Sequence, residues 1–319
     1  MRYRVDEPLF TSVIEEVASF RPRQGALYVT GVSVEERSRH LAAWEASCTN
    51  VTFASLVSHD SSAATFDVGG ALFDVRLRSN RDVAGIWAQK PYRAAYLDIT
   101  GLPHRVWAPL LRGMRSGGLP AYCVYVEPKE YRRSDTPTEG NIYDLSESIE
   151  GISPLPGFVS LGASREEEAV FVPLLGFEGA RFAFMLEEVQ PDRTQIYPIV
   201  GVPGFRYSYP FDTYFGNRAQ LAETSSWQNV RFAAANCPFS LYHLLAELGQ
   251  ESEHRYLKIA PIGTKPHALG AILYSLDHPS TTEVLYDHPV RRAMRTSGAA
   301  RVCLYDLSLL PPLRAERSR

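Results

Sequence analysis

The feature that most constrains this chain is an order of strands and helices that occurs twice along it. In both halves, short apolar segments alternate with amphipathic helical segments, which is typical of parallel sheets covered by helices. Tyr96-Leu97-x-Ile99 recurs as Tyr256-Leu257-x-Ile259 about 160 positions later. The sequence therefore predicts an α/β fold of two tandem Rossmann-like units with mainly parallel sheets, related by internal duplication.

Composition suggests where the two units meet along the chain. We expect an N-terminal unit over 1–133 and a C-terminal unit over 159–319, because 134–158 is rich in Pro, Gly, Ser and acidic residues, as linkers are. The first-strand glycines of the two copies lie closer together than the later matched positions, so the second copy carries extra residues. We place this insertion in an aromatic segment near 203–230.

Three shorter segments also give predictions. Residues 11–20, TSVIEEVASF, have the pattern of an amphipathic helix with a Ser12-x-x-Glu15 capping box. The segment 66–77 is typical of a hairpin that turns at Gly69-Gly70. The arginine-rich stretch from Arg291 onward is expected to be a solvated basic tail, with contact to phosphates or an acidic partner as the alternative.

Charge and composition limit the class of protein. A formal net charge of −3 and a pI near 6.3 argue against nucleic-acid binding through bulk charge. The four cysteines are widely spaced without a CxxC pair, which suits a reducing compartment. The first residues lack a signal-peptide pattern, and no stretch approaches the ~20 apolar residues that span a bilayer. We expect a cytoplasmic protein without a membrane segment.

The segment PIGTKPHA (261–268) is the most specific candidate for ligand binding. It follows a predicted strand and opens a helix, where unpaired N–H groups and the helix dipole favour an anion. Gly263 allows close backbone approach, Thr264 offers a hydroxyl and Lys265 a mobile cation. The alternative is a plain strand-to-helix turn whose lysine points into water.

Gly263-Thr264-Lys265 resembles the end of the ligand motif of CARF domains, and Asp98-Ile99-Thr100-Gly101 resembles its beginning. CARF domains are sensor domains of prokaryotic defence effectors, and a fused pair of such units is similar to SAVED sensors. The resemblance implies a nucleotide-type ligand such as a cyclic oligonucleotide, with Thr100 among its contacts. Because the sequence shows no effector domain, we expect such a sensor to act through a separate effector or complex subunit, within an antiviral defence system.

A second candidate is LLGFEGAR (174–181), at the end of another predicted strand. Gly176 begins a loop in which Glu178 can accept hydrogen bonds from a ribose or base, and Arg181 can bind a phosphate with both arms of its guanidinium. The alternative is a capped helix start with Arg181 in water.

The aromatic segment supplies a third candidate. Six aromatic residues fall within 205–215, beside Arg206, and Tyr209 is among them. Such a loop can stack bases, close as a lid or contact a partner subunit, since aromatics and Arg are enriched at interfaces. It can also fold onto its own core.

Catalysis has weaker support. The sequence has no GxSxG, HExxH or paired zinc motif. His288 follows Asp287, whose carboxylate can fix the ring tautomer, and His267 lies close to the Gly-Thr-Lys turn. We therefore expect a non-catalytic sensor or regulatory subunit. A ligand-free scaffolding subunit, or a nucleotide hydrolase or transferase that uses His288 or His267, are the alternatives. No cofactor is identified.

Overall fold

The structure, a computed structural model, divides the chain into two compact units. It describes residues 9–31, 35–43, 45–138, 140–143, 145–158, 169–252 and 255–310. Within these residues, the N-terminal unit comprises 10–130, 155–157 and 296–310, and the C-terminal unit comprises most of 131–295 together with Leu9. The two units are therefore interleaved along the sequence.

Strands and helices alternate through most of the chain, so the protein is a mixed α/β protein. The strands are β1 (Thr11–Ile14), β2 (Ala26–Thr30), β3 (Val51–His59), β4 (Ala63–Val68), β5 (Ala71–Arg76), β6 (Ala94–Asp98), β7 (Ala121–Tyr131), β8 (Arg133–Thr138), β9 (Asn141–Tyr143), β10 (Ser146–Ile149), β11 (Ser153–Pro154), β12 (Val170–Pro173), β13 (Ile199–Gly201), β14 (Arg231–Ala233), β15 (Leu257–Ala260), β16 (Thr282–Tyr286), β17 (Pro289–Arg291) and β18 (Thr296–Asp306). The α-helices are α1 (Asn80–Gly85), α2 (His104–Ser116), α3 (Gly179–Val189), α4 (Tyr209–Glu223), α5 (Pro238–Glu251) and α6 (Lys265–Asp277).

An eight-stranded sheet forms the N-terminal unit, with the order β1-β18-β7-β6-β2-β3-β4-β5. Its centre is parallel, since β7, β6, β2 and β3 pair in the same direction. The edge formed by β4 and β5 is an antiparallel hairpin, and its predicted turn at Gly69-Gly70 is confirmed. At the other edge, β1 pairs antiparallel with β18.

In the C-terminal unit, β12 is the central strand of a parallel arrangement that extends on both sides of it. Strand β12 pairs in parallel with β15, and β15 with β16. On the other side, two parallel bridges, Phe171 to Ile196 and Leu174 to Ile199, connect β12 to the β13 segment, which pairs in parallel with β14. The parallel strands therefore lie in the order β14-β13-β12-β15-β16, and β11 pairs antiparallel with β16 at the edge.

Alternation along β12 explains why helices cover both faces of these strands. Successive side chains of a strand point to opposite faces. Val170 and Val172 pack in a core cluster that includes Leu241 and Leu245 of α5 and Ala271 of α6. The intervening Phe171 packs in a second cluster, with side chains of α3 and α4. Because both faces are buried, the strand is apolar throughout.

The helix predicted over 11–20 is wrong. Thr11–Ile14 is β1, and Val17–Ser19 forms a single 3₁₀ turn. The partner of β1 is β18, nearly three hundred residues away, in the register Thr11 to Tyr305. Distant pairing has overridden a local helical pattern, because such patterns carry only fractions of a kcal/mol per residue.

Three other segments also differ from expectation. Within 134–158, expected to be a linker, the chain forms strands β8 to β11. The aromatic segment near 203–230 contains α4, which begins beside Pro210, a residue that favours the first helical turn. The described part of the expected basic tail contains β18, whose Val302 and Cys303 are fully buried. Arg314, Arg317 and Arg319 lie outside the described residues.

A buried ion pair lies at the end of β6 in the N-terminal unit. Asp98 Oδ2 accepts a hydrogen bond from the Tyr28 hydroxyl at 3.0 Å and lies 3.2 Å from His40 Nε2. His40 Nδ1 is 2.9 Å from Arg37 O, so both ring nitrogens are placed to donate. Burial alone lowers the pKa of His40, but the Asp98 carboxylate raises it on balance. Burial alone raises the pKa of Asp98, yet His40 lowers it overall.

This ion pair predicts a stability optimum at mildly acidic pH. The contribution of His40 is complete below its ordinary pKa of 6.5 and is lost as pH rises through its raised folded pKa. The contribution of Asp98 is complete above 3.8 and is lost as pH falls through its lowered folded pKa. Thermal unfolding of the N-terminal unit should therefore occur at lower temperature at about pH 9 than at about pH 5. His40→Asn should remove this component of the alkaline loss, and an unchanged pH dependence in the variant would contradict the assignment.

Candidate ligand-binding site

The carboxyl ends of β12 and β15 form the best candidate site of the C-terminal unit. From β12 the chain continues to β13 and β14 on one side, and it returns to β15 on the other side of β12. The helices that follow these strands, α3 and α6, belong to core clusters on opposite faces. In α/β proteins, ligands bind at the carboxyl ends of the strands where the order reverses in this way, which makes the ends of β12 and β15 a candidate site.

Two loops meet at this point through their backbones. A Cβ added to Gly263 would lie 2.6 Å from Leu175 O, and one added to Gly176 would lie 2.8 Å from Ile262 O. Both distances are shorter than any real Cβ contact, so each position requires glycine because of close approach. The structure thus brings together two loops that are 87 positions apart by their glycine numbers.

Thr264 directly precedes α6, and its hydroxyl caps the N-terminus of the helix. Thr264 Oγ1 donates to Ala235 O at 2.9 Å and accepts a hydrogen bond from His267 N at 3.3 Å. This is an N-cap that also ties the turn to a neighbouring loop. Within the described part of the chain, the backbone N–H groups of Gly263 and Thr264 have no hydrogen-bond acceptor.

Two basic side chains in the first turn of α6 are buried. Lys265 is only 6% exposed. Its side chain therefore does not extend into water, as the alternative of a plain strand-to-helix turn had predicted. His267 is fully buried, and its Nε2 lies 3.1 Å from Ala234 O. Burial lowers the pKa of His267 to about 4, so the ring is neutral near pH 7.

Arg181, expected to contact phosphate, is engaged within the protein. Its guanidinium donates to both Asp287 carboxylate oxygens, at 2.7 and 2.6 Å, and to Ile262 O at 2.8 Å. Burial alone lowers the pKa of Arg181, but Asp287 raises it well above its ordinary value. Arg181 therefore joins α3 to the ends of β15 and β16 and positions the loop before Gly263.

Glu178 and Asn217 hold the other loop. Ser146 Oγ donates to Glu178 Oε2 at 2.9 Å, and Glu178 stands directly before α3. Asn217 of α4 donates from Nδ2 to Gly176 O at 2.8 Å and is fully buried. The sequence analysis did not select Asn217, since a single amide in a helical segment carries no motif. Its Oδ1 has no hydrogen-bond partner in the described structure.

The aromatic candidates separate into a buried and an exposed set. Tyr209 is 8% exposed and packs edge-to-face on Tyr131, Tyr143 and Phe177. The Arg206 guanidinium lies 6.0 Å from the Tyr209 ring, and Arg206 is exposed. Tyr209 is therefore part of an aromatic core and its ring is not available as an open stacking platform.

His288 contacts a serine that sequence spacing did not connect to it. Its Nε2 lies 2.8 Å from Ser153 Oγ and 3.1 Å from Ser153 O. Asp287 does not orient this ring, because both of its carboxylate oxygens accept from Arg181. His288 has a positive φ of 43° and is 8% exposed. Among the described residues, no group of three or more His, Cys, Asp or Glu is placed to hold a metal ion.

The N-terminal unit repeats the backbone geometry with different polar contacts. A Cβ on Gly101 would overlap Gly31 O, so the loops after β2 and β6 also meet through glycines. Thr100 is buried: its N–H donates to Asp98 Oδ1 at 2.8 Å and its Oγ1 accepts from Val126 N at 2.9 Å. The N–H and the hydroxyl of Thr100 are thus bonded within the unit.

Gly263→Ala should destabilise the C-terminal unit because the new methyl group overlaps backbone carbonyls that cannot move independently. We expect a loss of about 1–3 kcal/mol in the free energy of unfolding, measured by chemical denaturation. Gly85→Ala is the control, because its nearest neighbour is Phe73 Cζ at 3.8 Å. Equal denaturation midpoints for the two variants would refute the close-approach interpretation.

Arg181→Leu should cost about 3–5 kcal/mol, because it leaves the buried Asp287 carboxylate without its partner. Removing both charges in Arg181→Leu/Asp287→Leu should recover part of that loss. The exposed Arg193, changed to Leu, serves as control. If the double variant is less stable than Arg181→Leu by the full additive amount, the two charges are not coupled.

Relatives of the chain were sought in three ways. A scan against protein-family models, a search of curated proteins and a search of solved structures each gave no match. No helix in the described residues combines the length and apolarity needed to cross a membrane. Any functional conclusion therefore rests on the chain's own residues and their geometry.

Proposed function

We propose that this protein is a non-catalytic sensor or regulatory subunit that binds a nucleotide-type, phosphate-bearing ligand in its C-terminal unit. The observation that carries the proposal is the convergence of the Gly176 and Gly263 loops at the carboxyl ends of β12 and β15. The first turn of α6 starts at this convergence. The glycines let the two loops pack directly against each other, and the start of α6 lies at this junction, where helix N–H groups can bind an anion.

The chemistry of the α6 start supports an anionic ligand. The N–H groups of Gly263 and Thr264 have no acceptor in the described part of the chain, and they lie at the positive end of the helix dipole. Lys265 adds a cation in the same turn. Because Lys265 is buried, its charge is less screened than that of a surface lysine and acts more strongly at short range.

Strand order supports a Rossmann-like interpretation of the C-terminal unit. The order β14-β13-β12-β15-β16 corresponds to 3-2-1-4-5 in chain order, which is that of doubly wound dinucleotide-binding sheets. The equivalent glycine contact in the N-terminal unit, Gly31 with Gly101, supports internal duplication. Together with the resemblance to CARF and SAVED domains, this favours a cyclic oligonucleotide or related nucleotide and an effector on another chain.

The set of residues proposed to contact the ligand is smaller than the set that the sequence predicted. The ligand phosphate would be bound by the N–H groups of Gly263 and Thr264 and by Lys265. Arg181 and Glu178 act indirectly, because their side chains bond Asp287 and Ser146. Thr100 and Tyr209 are assigned to packing and not to ligand binding, since the polar groups of Thr100 and the ring of Tyr209 are used within the protein.

A scaffolding subunit is the second candidate function, and a specific observation favours it. Tyr207 and Phe211 are 98% and 76% exposed, far above the usual values for aromatic residues of a folded unit. The scaffold and the sensor differ in one measurable property, since only the sensor depends on Lys265.

Lys265→Met should weaken ligand binding at least about tenfold while retaining the buried stem of the side chain. The ligand is sought first by native mass spectrometry of the protein purified from its own host, with mass identification after denaturing extraction. Titration calorimetry then uses that compound or, failing one, a panel of cyclic oligonucleotides and nucleoside triphosphates. Lys258→Met, in the preceding strand β15, is the matched control.

The two candidate functions give opposite results in this experiment. A nucleotide that co-purifies with the wild type and the Lys258→Met variant, but is lost in Lys265→Met, supports the sensor. A preparation without nucleotide, unresponsive to the panel and bound to a stoichiometric protein, supports the scaffold. Conversion of the compound during incubation would overturn the non-catalytic assignment.

A further inference from the structure

A cavity of about 350 Å³ lies between α3 and α4 in the C-terminal unit. It is lined by the C-terminal turns of both helices, with Ala183, Glu187 and Gln190 on one side and Gln220 and Glu223 on the other. Because α3 begins beside the candidate nucleotide site and rises about 1.5 Å per residue, its last turns lie away from that site. Small-molecule sites have volumes of about 300–1,000 Å³, so this cavity is large enough for a ligand of its own.

The two helices point in the same direction at this cavity. A Cβ added to Gly179, the first residue of α3, would overlap Gly216 O, so the two backbones touch there. From this contact, each helix continues towards its C-terminus and reaches the same cavity, where Gln190 follows α3 and Glu223 ends α4. The helices are therefore parallel, and their C-terminal ends lie side by side.

This arrangement concentrates negative charge around the cavity. The last carbonyl groups of a helix have no intrahelical donor and carry about half a negative charge, and here two such ends are neighbours. Glu187 and Glu223 add two carboxylates. Among the described residues, neither carboxylate has a hydrogen-bond or ion-pair partner. The surroundings therefore favour a cation.

One basic side chain of the protein already lies at this position. Arg193 lines the cavity, and its Nη1 donates to Glu223 O at 3.4 Å, at the end of α4. A single guanidinium leaves a net negative charge, since it faces two carboxylates and two helix ends. Arg193 is exposed, so it can turn into water when another cation binds.

The wall of the cavity is apolar apart from one unpaired acceptor. Leu186, Pro191 and Ile196 supply aliphatic surface. Gln220 Oε1 is buried and has no hydrogen-bond partner in the described part of the chain. Buried acceptors in proteins nearly always have a donor, and an N–H group of a bound molecule would supply it. The lining thus matches a molecule that combines an aliphatic chain with N–H groups of positive charge.

An inorganic cation is less well matched to this lining. Ca²⁺ and Mg²⁺ take six or more oxygen ligands, several of them usually carboxylates or water. Within the residues that the structure describes, no group of three or more His, Cys, Asp or Glu is placed to hold a metal ion. Aliphatic wall residues such as Leu186 would gain nothing from a bare ion, whereas they gain from burying methylene groups.

We propose that the cavity between α3 and α4 is a second ligand site, which binds a small aliphatic ammonium compound such as a linear diamine or polyamine. The methylene chain would pack on Leu186 and Ile196, and the ammonium groups would be held by Glu187, Glu223 and the two helix ends. Gln220 Oε1 would accept one of the N–H groups. The proposal does not depend on the proposed nucleotide site.

Titration calorimetry of the full chain at low ionic strength tests the proposal, with putrescine, cadaverine and spermidine as probes. At least one of them should bind with saturable one-to-one stoichiometry. Pentanediol, which has the chain of cadaverine but no charge, should not bind. The double variant Glu187→Gln/Glu223→Gln should raise the dissociation constant at least about tenfold, because it removes both carboxylates. Glu247→Gln, at an exposed position of α5, is the matched control.

Three further variants test whether the probe lies inside the cavity. Ala183→Leu fills part of the cavity without changing any charge, and it should weaken binding at least about tenfold. Glu223→Lys, at an exposed position, places an ammonium group of the protein at the cavity and should abolish binding. Arg193→Met removes the competing guanidinium and should lower the dissociation constant about threefold. Circular dichroism and thermal unfolding establish that each variant remains folded.

Several results would overturn the inference. Absence of binding by all three amines at millimolar concentration excludes a site for this class of compound. Equal binding of pentanediol shows that the cavity does not select a cation. Binding that persists in both folded Ala183→Leu and Glu223→Lys variants must occur elsewhere. Displacement of the amine by an equal concentration of Mg²⁺ would show that the carboxylates form an inorganic cation site.

Discussion

The buried ion pair between Arg181 and Asp287 is the interaction on which the architecture of the C-terminal unit depends. One guanidinium holds the start of α3, the end of β16 and, through Ile262 O, the segment that leaves β15. These elements surround the candidate site at the carboxyl ends of β12 and β15. Removing two charges from water is costly, and this geometry offsets the cost because each N–H used has an acceptor. We expect these three segments to be rigid, because displacing any of them would break hydrogen bonds to the Arg181 guanidinium.

Much of the element order could be predicted from the sequence, because the central strands of both units are short, apolar and bounded by glycine or proline. The segments 96–101 and 256–263 illustrate this, since β6 (Ala94–Asp98) overlaps the first and β15 lies within the second. The helices that follow both strands were also predictable, as amphipathic segments. Burial on two faces leaves a strong composition signal that does not depend on distant partners.

The incorrect predictions from the sequence have a common physical origin, which is contacts between distant parts of the chain. Residues 11–14 form a strand because Val302–Tyr305 pairs with them. The sequence near residues 11–14 carries no signal of this distant pairing. At the candidate site, Gly263 and Gly176 were identifiable because close approach needs glycine, whereas the partner of Arg181 was not. An arginine in a first helical turn has the same sequence signal whether it faces a ligand phosphate or a buried Asp287.

Both units contain a close contact between two glycine loops, Gly31 with Gly101 and Gly176 with Gly263, but the polar groups around it differ. In the N-terminal unit the Thr100 N–H donates to Asp98, the Thr100 hydroxyl accepts from Val126 N, and Asp98 pairs with the His40 ring. In the C-terminal unit the corresponding turn leaves backbone N–H groups without acceptors among the described residues. The same close approach of two glycine loops is thus combined with different polar contacts in the two units.

The position of β18 has a consequence for the order in which the chain folds during synthesis. Among the described strands, β1 pairs with β18 alone, and β18 follows the C-terminal unit in the sequence. The eight-stranded sheet of the N-terminal unit therefore stays incomplete while the ribosome makes the entire C-terminal unit. The nascent chain therefore exposes an open sheet edge until β18 has been translated, after the residues of the C-terminal unit.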